Sequence, residues 1–104
     1  MLTKKYLKSR DKVRVTFEVP FSQLPDGLDV DSIAVAGDFN GWDPDQALMK
    51  AVKSAKAYKT NLDLDPGSSF QFRYFVNGES WVSDWDADGY VPNDQGTENC
   101  LVKT

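Results

Sequence analysis

The chain has 104 residues, 12 basic and 16 acidic side chains, a formal net charge of -4 and a pI near 4.6. That length supports one two-layer core and not a second, and the scattered basic residues do not form the clustered surface that a phosphate backbone requires. Histidine is absent and Cys100 is the single cysteine, which rules out an intramolecular disulfide and the Ser-His-Asp, Cys-His and histidine-zinc chemistries.

Residues 1–11 carry Lys4, Lys5, Lys8 and Arg10 and read as a solubilising basic N-terminal arm; residues 12–104 read as a single domain. Lys12 to Val19 alternates Val13, Val15, Phe17 and Val19 with polar residues, the pattern of a half-buried strand. Pro20 ends it, because proline cannot donate to a ladder. A Pro-, Asp- and Gly-rich loop follows over Phe21 to Asp29, then a second strand from Val30 to Gly37. Gly37 to Pro44 is rich in turn formers, and Asn40-Gly41 favours positive φ. Between Pro44 and Lys56, Ala47, Leu48, Ala51, Val52 and Ala55 recur at near-helical spacing, so periodicity alone predicts a short helix there.

Lys56 to Leu64 reads as a strand, and Asp65-Pro66-Gly67 as a turn. Ser69 to Val76 is the clearest strand: Phe70, Phe72, Tyr74 and Val76 share one face, and Gln71, Arg73 and Phe75 the other. Asn77-Gly78 makes a hairpin turn leading to Trp81. An acidic loop spans Asp84 to Gly96, and Glu98 to Lys103 is the last strand. About seven short strands at this length predict an all-β, immunoglobulin-like antiparallel sandwich, without the Cys…Trp…Cys spacing of antibody domains.

No apolar run approaches the 18 residues of a membrane span. No signal-peptide stretch opens the chain, and no Asn-x-Ser/Thr acceptor occurs. Together these features predict a cytoplasmic protein that contacts neither membrane nor nucleic acid and needs no cofactor. Cys100, without a histidine, reads as a small core hydrophobe.

Three features compete for function. Three Trp, four Tyr and six Phe are more than a core of this size easily buries. Trp42, Trp81 and Trp85, with Arg73 between them in sequence, can therefore offer flat apolar surfaces to sugar rings, or can plug the core. Trp85 reads as structural or incidental. Asp84, Asp86, Asp88 and Gly89 match positions 1, 3, 5 and 6 of an EF-hand loop. Gln95 stands at position 12, however, and no helices flank the loop, so a solvated acidic turn is the simpler reading. Paired carboxylates for glycoside hydrolysis need a fixed separation in a cleft, and the acidic residues here fall mostly in turns.

Val35-Ala36-Gly37-Asp38-Phe39-Asn40-Gly41-Trp42 resembles the G-x-F-N-x-W signature of the family 48 carbohydrate-binding modules. That family includes isoamylase N-terminal (early-set) domains and the glycogen-binding domain of the AMP-activated protein kinase β subunit. Leu62 to Gly67 followed by Phe70 to Gly78 resembles its L-x-L-x-x-G…Y-K-F-x-V-D-G stretch. Trp81 and Gly96-Thr97-Glu98-Asn99 follow in the same order, so the resemblance covers residues 12 to 103.

The resemblance implies a non-catalytic sandwich that binds glycogen, starch or maltooligosaccharide. It implies Trp42 and Trp81 as two outward-facing stacking platforms, with Arg73, Thr97, Asn99 and Gln71 reaching sugar hydroxyls. Arg73 stands where glycogen-binding members carry Lys. Gln95 stands where they carry a Leu that pushes into the glucan, and Glu79-Ser80 replaces a single residue before Trp81. The resemblance also replaces the helix of Pro44 to Lys56 with a short strand over Leu48 to Val52, paired with Tyr58 to Leu64. It implies a glycogen-metabolising enzyme or kinase as the protein partner. The rival expectation is an early-set structural or protein-interaction domain of an isoamylase or branching-enzyme system, its Trp residues turned inward or meeting a protein partner.

Overall fold

A computed structural model describes residues 2–24, 30–43, 45, 47–78, 80–84, 86–94 and 96–104. The described residues hold nine strands: β1 (Leu2–Leu7), β2 (Lys12–Pro20), β3 (Ile33–Gly37), β4 (Lys50–Val52), β5 (Ala57–Leu64), β6 (Ser69–Val76), β7 (Ser80–Val82), β8 (Gly89–Pro92) and β9 (Glu98–Lys103). They form two antiparallel sheets. The first has the order β1-β2-β5-β4; the second has β3-β6-β9-β8, with β7 also paired to β6. No α-helix occurs among the described residues.

The alternation that marks β2 in the sequence is what the sheet uses. Val13, Val15, Phe17 and Val19 are all buried, and the residues between them are partly exposed. Across the sandwich lie Phe72, Tyr74 and Val76 of β6, Ile33 and Val35 of β3, and Cys100 and Val102 of β9. Phe17 meets Phe72 edge-on at 5.1 Å and Phe39 at 5.7 Å. Each such ring or branched chain withdrawn from water contributes roughly 1.5–3 kcal/mol. Cys100 is fully buried and free, and burial leads in pushing its thiol up.

The described residues between Trp42 and β5 form no α-helix, and Lys53–Ala55 is a 3-10 turn. Val35 donates its N–H to Ala47 O (3.0 Å) and Met49 donates to Ile33 O (2.8 Å), so residues 47–49 cover the outer edge of β3 in the second sheet. At the next residue the chain enters β4 of the first sheet, where Lys50, Ala51 and Val52 pair with Lys59, Tyr58 and Ala57. The strand expected over Leu48 to Val52 is therefore shared between two sheets. Of the residues whose spacing imitates a helix, Ala47 alone is buried; Leu48, Ala51 and Ala55 are exposed and Val52 partly so, and the spacing marks no buried face.

The sequence passes over two strands. Leu2–Leu7, within the expected basic arm, pairs along its length with β2 as an edge strand. Gly89–Pro92, within the expected acidic loop, pairs with β9. Edge strands expose most of their side chains and so carry little alternation. The expected strand from Val30 begins only at Ile33. Before it, the Asn77 carboxamide oxygen accepts the N–H groups of Asp31 (2.7 Å) and Ser32 (3.2 Å) in place of a ladder partner.

Candidate functional site

The outer face of the second sheet carries the residues of interest. Ala34 pairs with Phe75, Ala36 with Arg73, and Phe75 with Trp81, so these side chains share the face opposite the core. Asn77-Gly78 sits at φ 56° and 69°, as a tight hairpin requires. This short turn folds β7 back onto β6 and lays Trp81 over Phe75, ring centroids 4.5 Å apart at 35°.

Trp42 arrives from a different element. A 3-10 turn, Asp38–Asn40, follows β3. Gly41 and Trp42 then both take the left-handed conformation, at φ 66° and 61°. For a bulky residue that costs on the order of 1 kcal/mol, and local bonds hold it there. Trp42 N donates to Gly37 O (2.9 Å), and its indole Nε1 donates to Asp38 Oδ1 (3.0 Å). The other Asp38 oxygen accepts the backbone N–H of Gln71 in β6 (2.8 Å). Asn40 closes the turn through its carboxamide, accepting from Gly37 N and donating to Val35 O.

The two indoles meet on one surface. Their centroids are 6.2 Å apart and their planes cross at 64°. Trp81 is 41% exposed and Trp42 is partly exposed. The two expected platforms are not coplanar: β7 and the Gly41-Trp42 turn approach from different directions and build a corner. Trp81, at 41% exposure, is not turned inward, which was one form of the rival expectation.

An open groove of about 290 Å³ lies at this corner, lined by Trp42, Arg73, Trp81, Asn93, Asp94 and Asn99. Arg73 reaches Thr97 Oγ1 through Nη1 (3.5 Å) and Trp81 O through Nη2 (3.4 Å), both at the long limit of a hydrogen bond. Its buried Nε has no partner among the described residues. A guanidinium so thinly satisfied favours a ligand rich in acceptors.

A run of side-chain amides frames the groove. Asn99 Nδ2 donates to Gln71 Oε1 (3.0 Å), and Asn93 Nδ2 donates to Asn99 Oδ1 (3.1 Å) and Thr97 Oγ1 (2.8 Å). Thr97 N in turn donates to Asn93 Oδ1 (3.2 Å). Gln71, Arg73, Thr97 and Asn99, scattered over 29 positions of sequence from 71 to 99, thus belong to one bonded network. The structure brings all six sequence-predicted residues to this face.

Sequence reasoning missed Asp38, Asn93 and Asp94. Asp38 stood inside the recognised motif but read as a turn former. Asn93 and Asp94 lay in the acidic loop, where nothing in the local pattern separates a site residue from a solvated one. Trp85 and Gln95 lie outside the described residues, as does Glu79 of the extra residue pair.

The three carboxylates of the EF-hand-like stretch do not converge. Asp84 is fully buried, which corrects its reading as part of a solvated turn; its Oδ2 accepts from Tyr74 OH (2.6 Å) and its Oδ1 from Asp86 N (2.8 Å). Asp88 instead faces β1 and β9, accepting from Lys4 Nζ and Lys103 N. No group of three or more metal-ligating side chains occurs among the described residues. No helix among them is long and apolar enough to cross a membrane.

Indole faces, a guanidinium and several amides around an open groove suit a ligand with apolar C–H faces rimmed by hydroxyls. No curated protein matches the chain. A family model described as the glycogen recognition site of AMP-activated protein kinase matches residues 27–104.

Proposed function

Because the chain belongs to the family of the glycogen recognition site of AMP-activated protein kinase, a non-catalytic glucan-binding module, we propose that its own glucan site is the groove at the Trp42–Trp81 corner. One glucose unit stacks on the open face of Trp81 while Trp42 closes the side of the corner. Arg73 donates to sugar hydroxyls, and Thr97, Asn99 and Gln71 complete the polar rim. The chain carries out no reaction; it holds α-1,4-linked glucan for a glycogen-metabolising enzyme or kinase, and it works in the cytoplasm.

The observation that carries this reading is the pair of accessible indoles at one groove beside a guanidinium held by long hydrogen bonds. Coverage of roughly 100 Å² of apolar surface yields about 2.5 kcal/mol. With a few hydrogen bonds, the expected affinity lies between about micromolar and millimolar. A titration with maltoheptaose, followed by amide NMR shifts, tests it. Shifts confined to residues around the groove support the site. No response at ~10 mM sugar, which corresponds to less than about 3 kcal/mol of binding, defeats it. Release of reducing ends from glycogen by the pure protein would overturn the non-catalytic reading.

A further inference from the structure

Trp42 is held by more than its strand connection requires. Its backbone sits in the left-handed region at φ 61°, directly after Gly41 at φ 66°, a combination that a bulky side chain adopts only under constraint. The constraint is visible: Asp38 accepts the indole Nε1–H on Oδ1 at 3.0 Å and the Gln71 backbone N–H on Oδ2 at 2.8 Å. One carboxylate therefore ties the ring of a turn residue to the backbone of β6, the strand that also carries Arg73. The side chain of the same Gln71 accepts from Asn99. The bonded network around the groove thus begins at the Trp42 indole and runs through Asp38.

Resting on the glucan reading above, we propose that Asp38 is the positioning residue of the site. It fixes the Trp42 ring at its angle to Trp81 before any sugar arrives, and it takes up the indole N–H so that Trp42 offers glucan only its ring. Asp38 itself touches no sugar. A ring already held in its bound orientation loses less freedom on binding, which raises affinity without a new contact.

The test is a double-mutant cycle on the full chain, with maltoheptaose as the probe. Asp38→Asn keeps the side chain's size but turns one acceptor into a donor facing an N–H, so one of the two bonds is lost. Its dissociation constant should rise about fivefold, within the worth of a single charge-assisted hydrogen bond. Trp42→Phe removes the N–H; in that background Asp38→Asn should change affinity less than about twofold, because coupled residues are not additive. In the sugar-free protein, the Trp42 indole Nε1–H resonance should move upfield and exchange faster in Asp38→Asn.

Equal losses in both backgrounds, or an unmoved indole resonance, overturn the proposal. If Asp38→Asn fails to give a dispersed spectrum, Asp38→Ser is read in the same two ways. If the wild-type chain binds no maltoheptaose, the glucan reading fails, while the indole resonance still decides what Asp38 does.

Discussion

Replacing Trp81 with Ala removes the more exposed of the two indoles of the groove, and its effect follows from burial. Trp81 is 41% exposed. If the open side chain presents ~250 Å², roughly 100 Å² remains for a ligand. One ring face already rests on Phe75 at 4.5 Å, so a stacked glucose covers only part of what is left. Coverage of ~50 Å² at ~25 cal/mol per Å² is worth about 1.3 kcal/mol, close to a tenfold change in dissociation constant. Trp81→Ala should therefore weaken maltoheptaose binding about tenfold, and Trp81→Phe should fall between the two. The lost contact with Phe75 should also lower unfolding free energy by about 0.5–1.5 kcal/mol. Calorimetric titration measures the first quantity and urea unfolding the second. A folded Trp81→Ala that binds within twofold of wild type would refute the assignment of Trp81 as a stacking surface.

Three further outcomes test the framework around the site. Gly37 is extended at φ -171°, a conformation open to any residue, yet an added Cβ would lie 2.4 Å from Gln71 O and 2.9 Å from Phe39 and Phe72. Gly37→Ala must push β3 from β6 and should cost about 3 kcal/mol in urea unfolding; a loss under ~1 kcal/mol contradicts the packing argument. Tyr74→Phe takes a donor from the buried Asp84 carboxylate and should cost about 1–3 kcal/mol. Burial first, then Asp84, holds the Tyr74 hydroxyl well above its usual range. Its raised value means stability is retained below the unfolded value and declines as pH rises above ~10, more in wild type than in Tyr74→Phe. Parallel alkaline curves for the two proteins would count against it. For Asp88, burial acts to raise the carboxyl, but the Lys103 backbone N–H and the Lys4 ammonium outweigh it and hold it below the ordinary range. A depressed carboxyl stabilises the fold above its unfolded value of ~3.9 and loses that contribution as pH falls. Asp88→Asn should thus lower the urea midpoint at neutral pH, and the two proteins should converge towards pH ~2. A constant gap across that range would refute the linkage.

The sequence by itself determined the fold class and the heart of the core. Strict alternation over Val13 to Val19 and over Phe72 to Val76 states which side chains leave water, because a strand repeats every two residues. Asn77-Gly78 located a hairpin for the same kind of local reason, since few other pairs accept two positive φ angles. The motif from Val35 to Trp42, the stretch from Phe70 to Gly78, Trp81 and the run from Gly96 to Asn99 named six candidate residues through the resemblance they carry, but not Asp38, Asn93 or Asp94.

Only the tertiary structure decided what depends on partners distant along the chain. β1 and β8 are strands because β2 and β9 lie beside them, not because of their own composition. Residues 47–52 cross between sheets, so their backbone partners change along the stretch and no single period describes them. The 64° corner of the two indoles depends on where a left-handed turn and a hairpin arrive in space. Asp38 and Asp84 look alike in the sequence, as acids next to turns. Packing sets the exposed Asp38 beside an indole and shuts Asp84 in with a tyrosine, and the buried carboxylate, withdrawn from water, must find its donors inside the fold.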